Sequence, residues 1–388
     1  MAATTVPISA SVLNWAREEA GLTEADLAER VNLPVADIQA WEAGAALPTQ
    51  SQFSKLVKTL RRPSAVFFLP EPPVAAGMPT SLRRATSLQG HKIGPDEARQ
   101  IRWARRLQGL VSWILRDQSR APVTISQYSL DMPPARAAGI ERERSAVRID
   151  QQTSWKSASA AFRAWRRHLE EQDVLVLQLS MGRGNIRGFG AWDDHAPLVA
   201  VNTAYHPTAR IYTLFHEFGH LLTRSDSACQ DFVMPGRHDG NVERWCERFA
   251  AAFLLPEEAL RAMAARYDVT PTSPTTDPDK ARLIAGCFSV SIRATAIRLQ
   301  EFGLAEPALH SRVVSQFAGQ DWSDSSGGGQ SGGSPAYEQR IRQLGTRLPN
   351  ILLSAADRGQ LTTRDLADLL NLTTGSLGDM RGLLLESG

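Results

Sequence analysis

The pentapeptide H-E-F-G-H at residues 216–220 is the feature that most limits what this chain can fold into. Apolar residues on both sides of it recur at helical spacing, so we predict a buried helix from Arg210 to Thr223. Positions i and i+4 of a helix share one face, so His216 and His220 can bind one cation together. Two buried histidines need a polar partner. The pattern therefore favours a metal site over the alternative, an exposed helix whose histidines have no function.

A catalytic zinc site normally has three protein ligands and one open position for water. A second predicted helix, Val242 to Leu254, offers Glu243 and Glu247 as candidates for the third ligand. Glu243 lies nearer the apolar stripe of that helix, whereas Glu247 is expected to be an outer or surface residue. We therefore predict one Zn²⁺ per chain, bound by His216, His220 and Glu243.

Glu217 lies between the two histidines in sequence and is predicted to be the catalytic base of a peptidase rather than a ligand. Zinc in such a site polarises the peptide carbonyl, while Glu217 takes the proton of the attacking water and passes it to the leaving amine. A further group must stabilise the tetrahedral oxyanion. Tyr205, His206 and His238 are the candidates that lie near the motif in sequence.

Length and composition limit the class of protein. A chain of 388 residues is too long for one core and should form two or three domains. Its 43 Lys and Arg nearly balance 41 Asp and Glu, so the net charge of the whole chain does not indicate binding to nucleic acid or to a membrane. The three cysteines, Cys229, Cys246 and Cys287, have no C-x-x-C spacing, which argues against disulfides and a thiolate zinc site. Without a signal sequence or a bilayer-spanning apolar stretch, we expect a cytoplasmic protein outside the membrane.

The organisation along the chain predicts an α+β fold that is mainly helical. Five segments are expected: a helical domain at 1–73, a helical connector at 74–150, the metal-site domain at 151–318, a Gly/Ser-rich linker at 319–336, and a C-terminal helical module at 337–388. Thr23 is predicted to cap one helix of the first domain, and Thr362 or Thr363 one helix of the last.

Further helices and strands are predicted from hydrophobic spacing. The helices are Pro95 to Arg120 and Ser154 to Glu171, and the strands are Val174 to Leu179, Gly188 to Trp192 and Leu198 to Asn202. The strands precede the H-E-F-G-H helix, so a small sheet is expected beside it.

Several stretches of the chain resemble the ImmA/IrrE metallopeptidase family. They are G-F at 188–189, P-L-V-A-V-N at 197–202, R-I-Y-T-L-F-H-E-F-G-H-L-L at 210–222, and E-R-W-C-E-R-F-A-A-A-F-L-L-P at 243–256. The family pattern is a G-F strand, a P-x-I-x-V-N strand, F-T-L-x-H-E-L-G-H, and E-x-x-A-N-x-F-A-x-x-L-L-x-P. Phe218, Cys246 and Glu247 stand where the family usually has Leu, Ala and Asn.

The resemblance implies a zincin-like, gluzincin-type domain with a small sheet and an HExxH helix. It places the family's zinc ligands on His216, His220 and Glu243, and its catalytic glutamate on Glu217. A subgroup of the family also has an N-terminal helix-turn-helix and a C-terminal helical extension after a Gly-rich stretch, as this sequence does.

Residues 1–73 resemble the XRE type of helix-turn-helix, a domain of four to five helices, through G-L-T at 21–23, D-L-A at 26–28 and W-E-A-G at 41–44. In a DNA-binding member the helix from Pro34 to Ala43 would enter the major groove. That helix has no Lys or Arg, and Ser11 to Pro63 carries six positive against seven negative side chains. Because phosphate neutralisation supplies much of the affinity for DNA, protein docking stands as the alternative to DNA binding.

The resemblance implies a zinc endopeptidase that cleaves a protein regulator, such as a helix-turn-helix repressor, in stress or mobile-element gene control. The alternative is a non-proteolytic XRE-type transcriptional regulator, or the antitoxin of a toxin-antitoxin pair, with a zincin-like domain that senses a ligand or docks a partner. Expected partners are a protein substrate, a repressor or a toxin, DNA through the N-terminal domain, and a second copy in a homodimer.

Overall fold

A computed structural model describes residues 5–20, 22–60, 64–72, 95–182, 186–225, 227–230, 240–317 and 334–386. The chain divides into two compact units, Met1–Trp103 and Ala104–Gly388. Nearly all of the predicted linker at 319–336 lies outside the described residues, as does the beginning of the predicted connector.

The first unit is built from short helices, as the sequence predicts. They are α1, Ala10–Glu19, α2, Glu24–Val31, α3, Val35–Glu42, and α4, Gln50–Leu60, followed by a 3₁₀ turn at Ser64–Phe68. The Thr23 hydroxyl accepts a hydrogen bond from the Asp26 amide, and the Asp26 carboxylate accepts one from the Thr23 amide. This capping box confirms Thr23 as the N-cap of α2. Leu27 and Ile38 are fully buried in the core of the unit.

The second unit combines helices with one small sheet. Its first helices are α5, Pro95–Asp117, within which the division between the units falls, α6, Pro134–Arg144, α7, Ile149–Ser154, and α8, Ala158–Glu171. The sequence predicts one helix from Ser154, but the structure ends α7 there and begins α8 after Ser157, whose hydroxyl accepts from the Ala160 amide. Helix α6 lies within the predicted helical connector, but the sequence does not predict its bounds, because its buried apolar residues are alanines that give little hydrophobic periodicity.

The sheet has four described strands in the order β1-β3-β2-β4. They are β1, Leu175–Leu179, β2, Ile186–Ala191, β3, Leu198–Asn202, and β4, Ser227–Gln230. Strand β1 runs parallel to β3, with Leu175 opposite Leu198, and β2 runs antiparallel to both β3 and β4. The three predicted strands are confirmed, and β4 is an additional one. All of β3 is buried, as expected of a central strand.

The H-E-F-G-H helix lies at the centre of the second unit. It is α9, Pro207–Leu222, and the remaining helices are α10, Gly240–Leu254, α11, Glu257–Ala265, α12, Pro278–Phe288, α13, Ile292–Glu301, and α14, Ala308–Gln316. Helix α9 packs against α8, α10, β2 and β3. Phe215 of α9 stacks on Phe253 of α10 at 4.3 Å between ring centroids, and the Trp165 ring meets both edge-on. Helix α6, from the predicted connector, packs on α10 in the same core.

The C-terminal segment is helical, as predicted, and packs within the second unit. Its helices are α15, Ala336–Leu344, α16, Arg347–Asp357, α17, Thr363–Leu370, and α18, Thr374–Glu386. The buried Arg166 guanidinium pairs with Glu170 and donates to the carbonyl oxygens of Arg342 and Gln343. Glu170 also accepts from the Thr346 hydroxyl at 2.8 Å. The segment is therefore held in part by hydrogen bonds from the buried Arg166 and to the buried Glu170.

None of the helices in the described part of the chain is long and apolar enough to cross a bilayer.

Candidate metal centre

Helices α9 and α10 bring three side chains with metal-binding atoms into one cluster. His216 Nε2 lies 3.2 Å from Glu243 Oε2, and His220 Nε2 lies 3.5 Å from Glu243 Oε1. The two Nε2 atoms are 3.2 Å apart. Both histidines are buried, and Glu243 is about one-third exposed. The structure thus brings together the three residues that the sequence proposes as ligands, in a cluster that could hold a metal ion.

The spacing of these atoms fits a tetrahedral cation. Ligand atoms bound at about 2.0–2.1 Å from zinc in a tetrahedron stand about 3.4 Å from one another. In the cluster the two Nε2 atoms have this spacing, at 3.2 Å, and the Glu243 carboxylate reaches them through different oxygens, Oε2 at 3.2 Å from His216 and Oε1 at 3.5 Å from His220. Two imidazole nitrogens and one carboxylate oxygen also form the donor set of many catalytic zinc sites, which keep a fourth position open.

The electrostatics of the cluster favour a positive charge. Burial opposes ionisation of the Glu243 carboxyl, but hydrogen bonds from His216 and His220 outweigh it and hold the pKa of Glu243 well below its usual range. Burial likewise opposes protonation of His220, but Cys246 and Glu243 outweigh it and raise the pKa of that imidazole. Because histidine binds metals in its neutral form, a bound cation would take the place of this proton.

The structure separates the two glutamates that the sequence offers for the third position. Glu243 joins the histidines, whereas Glu247 is not among the cluster's three residues in the described part of the chain. Burial raises the pKa of Glu247, although His216 opposes this effect. The two carboxyl groups on one helix therefore have opposite shifts, and Glu243 is the one that meets the histidines as an anion.

The close approach of α9 and α10 depends on a glycine. A Cβ at Gly219 would lie 3.2 Å from Cys246 Cβ, 3.2 Å from Cys246 Sγ and 3.3 Å from Cys246 Cα. These distances are tighter than nine in ten real Cβ contacts, so even alanine at 219 would require Cys246 to shift by a few tenths of an ångström. Gly219 lies beside His220 in the motif, and Cys246 follows Glu243 by one helical turn.

Glu217 is buried between α9 and the sheet. Its side chain has no exposed surface. A Cβ at Gly188 of β2 would lie 3.5 Å from Glu217 Cγ and 2.6 Å from Thr213 Cγ2, so the bare glycine backbone lets β2 lie against α9 at this point. The sequence predicts Glu217 as the base, and the structure places it on the helix of both histidines, against the sheet.

Ser225 orients His220 from the side opposite Glu243. Its hydroxyl lies 2.9 Å from His220 Nδ1 and 2.8 Å from the Thr223 hydroxyl. The turn that positions Ser225 passes through Arg224 in the left-handed conformation, with φ at 55°. The Arg224 guanidinium lies 3.4 Å above the Trp192 ring and donates to the carbonyl oxygen of Ile125. A hydrogen bond at the second ring nitrogen fixes the orientation of a metal-binding histidine.

Two of the three candidates for oxyanion stabilisation, Tyr205 and His206, lie at the start of α9. His206 is the N-cap of α9, and its ring accepts from the Thr208 amide. The ten residues from His206 to His216 rise about 15 Å along a helix, so this imidazole lies at the end of α9 remote from the cluster. Tyr205, which precedes it, is buried under the Arg187 guanidinium, 4.8 Å from its ring centroid. His238 lies outside the described residues.

Two family models match segments of this chain. Residues 169–300 match the family model described as the IrrE N-terminal-like domain, a peptidase family. Residues 13–67 match a helix-turn-helix family model. The chain therefore carries a helix-turn-helix domain followed by a metallopeptidase-type domain, and both resemblances predicted from the sequence are confirmed for these segments.

A curated relative is the radiation response metalloprotease IrrE of Deinococcus radiodurans. It is 32% identical to this chain over 85 residues, which are 21% of this chain and 26% of the relative. The chain thus matches about a quarter of the length of this relative.

Three supporting residues were not predicted from the sequence. Gly188 and Gly219 have no side chain, which lets another element of the fold pack closely against each of them. These packing partners are far from the glycines in sequence, so the sequence alone does not reveal the contacts. Ser225 follows His220 by five residues, just past the end of α9, and a hydroxyl at that distance has no sequence signature of its own.

Proposed function

We propose that this chain is a zinc-dependent endopeptidase that binds one zinc ion per chain through His216, His220 and Glu243. The observation that carries the proposal is the meeting of two Nε2 atoms and one carboxylate at 3.2 to 3.5 Å. The match of residues 169–300 to a peptidase family supports it independently.

The side chains have distinct roles in this reaction. Bound zinc would supply the Lewis acid for the peptide carbonyl and the attacking water. Glu217 takes a proton from that water and delivers it to the leaving amine, in the role that the H-E-x-x-H motif gives to its glutamate. Ser225 holds the His220 ring in the orientation that directs Nε2 toward Glu243.

The substrate is a protein regulator of the helix-turn-helix repressor class, and cleavage controls genes of stress or of mobile elements in the cytoplasm. The helix-turn-helix domain at 13–67 supports a role in gene regulation. The radiation response of the Deinococcus relative supports the stress context. A chain without peptidase activity would instead be a regulator or antitoxin that uses the metal-site domain for docking.

Metal analysis of the purified full chain tests the ligand set. We expect one zinc per chain in wild type by elemental analysis, and loss of zinc in His220→Ala and Glu243→Ala. Glu247→Ala is the matched control, because it removes a carboxylate one turn along the same helix and should keep the metal. Wild type without metal, or Glu243→Ala with full zinc, would contradict the proposal.

Glu217→Gln separates a peptidase from a regulator that only binds. The change removes the basicity of the carboxyl with almost no change in volume, so the variant should fold and keep zinc. Incubated with helix-turn-helix repressors encoded beside its gene, it should bind one of them without cleaving it. If wild type cleaves none of them, and Glu217→Gln matches wild type in cells while His216→Ala fails, the regulator or antitoxin function replaces the peptidase.

A further inference from the structure

The C-terminal helices repeat the sequence of the N-terminal helix-turn-helix. Residues 22–33 and 361–372 align without a gap at a constant separation of 339 positions. Seven of the twelve aligned positions are identical. The identical pairs are Leu22 and Leu361, Thr23 and Thr362, Asp26 and Asp365, Leu27 and Leu366, Ala28 and Ala367, Asn32 and Asn371, and Leu33 and Leu372.

The two stretches also have the same local structure. Thr362 and Asp365 form a capping box at the start of α17, as Thr23 and Asp26 do at the start of α2. Helix α17 ends at Asn371 with φ at 49°, and α2 ends at Asn32 with φ at 54°. A left-handed asparagine ends each helix and begins the tight turn to the next.

The repeat extends to all three helices of the motif. At the same separation, α16, α17 and α18 correspond to α1, α2 and α3. Their core positions are buried in both copies: Leu13 and Leu352, Ala16 and Ala355, Leu27 and Leu366, Val31 and Leu370, Ile38 and Leu377, and Trp41 and Met380. The residues that pack a three-helix core are thus kept in apolar character, although most exposed residues differ.

An ion pair joins the first and third helices in both copies, with its charges reversed. Arg17 of α1 pairs with Glu42 of α3, at 2.7 Å. Asp357 of α16 pairs with Arg381 of α18, at 2.6 Å. Arg381 occupies the aligned position of Glu42.

We propose that residues Arg347–Glu386 are a second helix-turn-helix unit, and that this unit, rather than the N-terminal one, contacts double-stranded DNA. The two units differ in charge. Residues 8–47 contain seven carboxylates and two arginines, whereas the aligned residues 347–386 contain five carboxylates and four arginines. Because DNA phosphates repel carboxylates, the N-terminal unit is the less suitable of the two.

The differences fall on the surface that a helix-turn-helix presents to DNA. Glu24 in the first turn of α2 is replaced by Thr363, and Asp37 in the first turn of α3 by Ser376. Arg364 is exposed in the first turn of α17. Hydroxyl groups and an arginine at the start of these helices suit contacts to phosphates and base edges, which this motif makes with the N-terminal residues of its second helix.

Binding of the full chain to a fluorescein-labelled, random-sequence duplex, followed by fluorescence anisotropy at several salt concentrations, tests this assignment. Arg364→Glu should weaken binding about tenfold or more at low salt and reduce the slope of log affinity against log salt by about 0.9. Arg30→Glu is the matched control, since it reverses an exposed arginine on the corresponding helix of the N-terminal unit. It should change the affinity by less than about twofold. Thermal melts confirm that both variants remain folded.

Three results would overturn the proposal. Weakening by Arg30→Glu alone would assign DNA to the N-terminal unit, and equal weakening by both variants would remove the distinction between the units. No binding by wild type at low salt would make both units protein-docking modules. Metal content plays no part in this assay, so its outcome is independent of the peptidase proposal.

Discussion

Replacing Gly188 with alanine tests whether the contact between β2 and α9 holds the site together. The new Cβ would stand 2.6 Å from the carbonyl oxygen of Ala200 and 2.6 Å from Thr213 Cγ2. Ordinary contact begins near 3.4 Å, so strand and helix would have to separate by about 0.8 Å. Moving either neighbour costs free energy, because Ala200 is paired with Phe189 across the sheet and Thr213 is buried on α9.

The expected cost follows from over-packing a dense interior. Extra methyl groups in well-packed cores typically cost about 1–3 kcal/mol. Since one of the two close contacts at Gly188 is to backbone, we expect the upper part of that range, about 2–3 kcal/mol. The shift also displaces Glu217, which lies one turn beyond Thr213 on the same helix. Urea unfolding followed by tryptophan fluorescence measures the first effect, and peptidase activity at saturating zinc measures the second.

Gly286→Ala is the control for this experiment. Gly286 lies in α12 with nothing within 4 Å of its added Cβ, so alanine should stabilise the helix by about 0.5–1 kcal/mol. If Gly188→Ala proves as stable as wild type, or both variants lose the same stability, close packing of β2 on α9 is not what positions Glu217.

Three further predictions concern residues around the site and the C-terminal segment. Ser225→Ala removes the partner of His220 Nδ1 and should weaken zinc affinity about 10- to 100-fold without unfolding the chain, measured by competition with a chelator. Burial lowers the pKa of His168 to about 4 in the folded chain, whereas in the unfolded chain its pKa is near 6.5. As the pH falls, the unfolded state therefore takes up this proton before the folded state does. Stability should therefore fall as the pH drops from about 6.5 to 4, by up to about 3 kcal/mol, and His168→Phe should lack this fall in urea titrations. Arg166→Met leaves the buried Glu170 without its ion pair, which should cost about 3–5 kcal/mol and speed proteolytic release of the C-terminal segment. Unchanged proteolysis would show that other contacts hold that segment.

The parts of the fold that the sequence predicts well are those determined by local spacing. The sequence predicts the helical domain at 1–73 and Thr23 as an N-cap, because apolar periodicity and a capping threonine act within one or two turns. His216 and His220 were placed on one helical face for the same reason. Features that need two distant segments were missed, such as strand β4 and the contact of Gly188 with α9.

The choice of Glu243 over Glu247 shows how a packing contact determines a site. Gly219 and Cys246 lie against each other where α9 packs on α10, so this contact limits which residues of the two helices face each other. Glu243 precedes Cys246 by three residues and thus lies on the same face, and side chains lean toward the N-terminus of their helix, which directs its carboxylate toward the histidines. Glu247 lies one turn further along nearly the same side of α10, so position along the helix, rather than face, separates the two carboxylates. The third ligand therefore depends on where the two helices touch, and a bulkier residue at 219 should remove it from reach even with every ligand present.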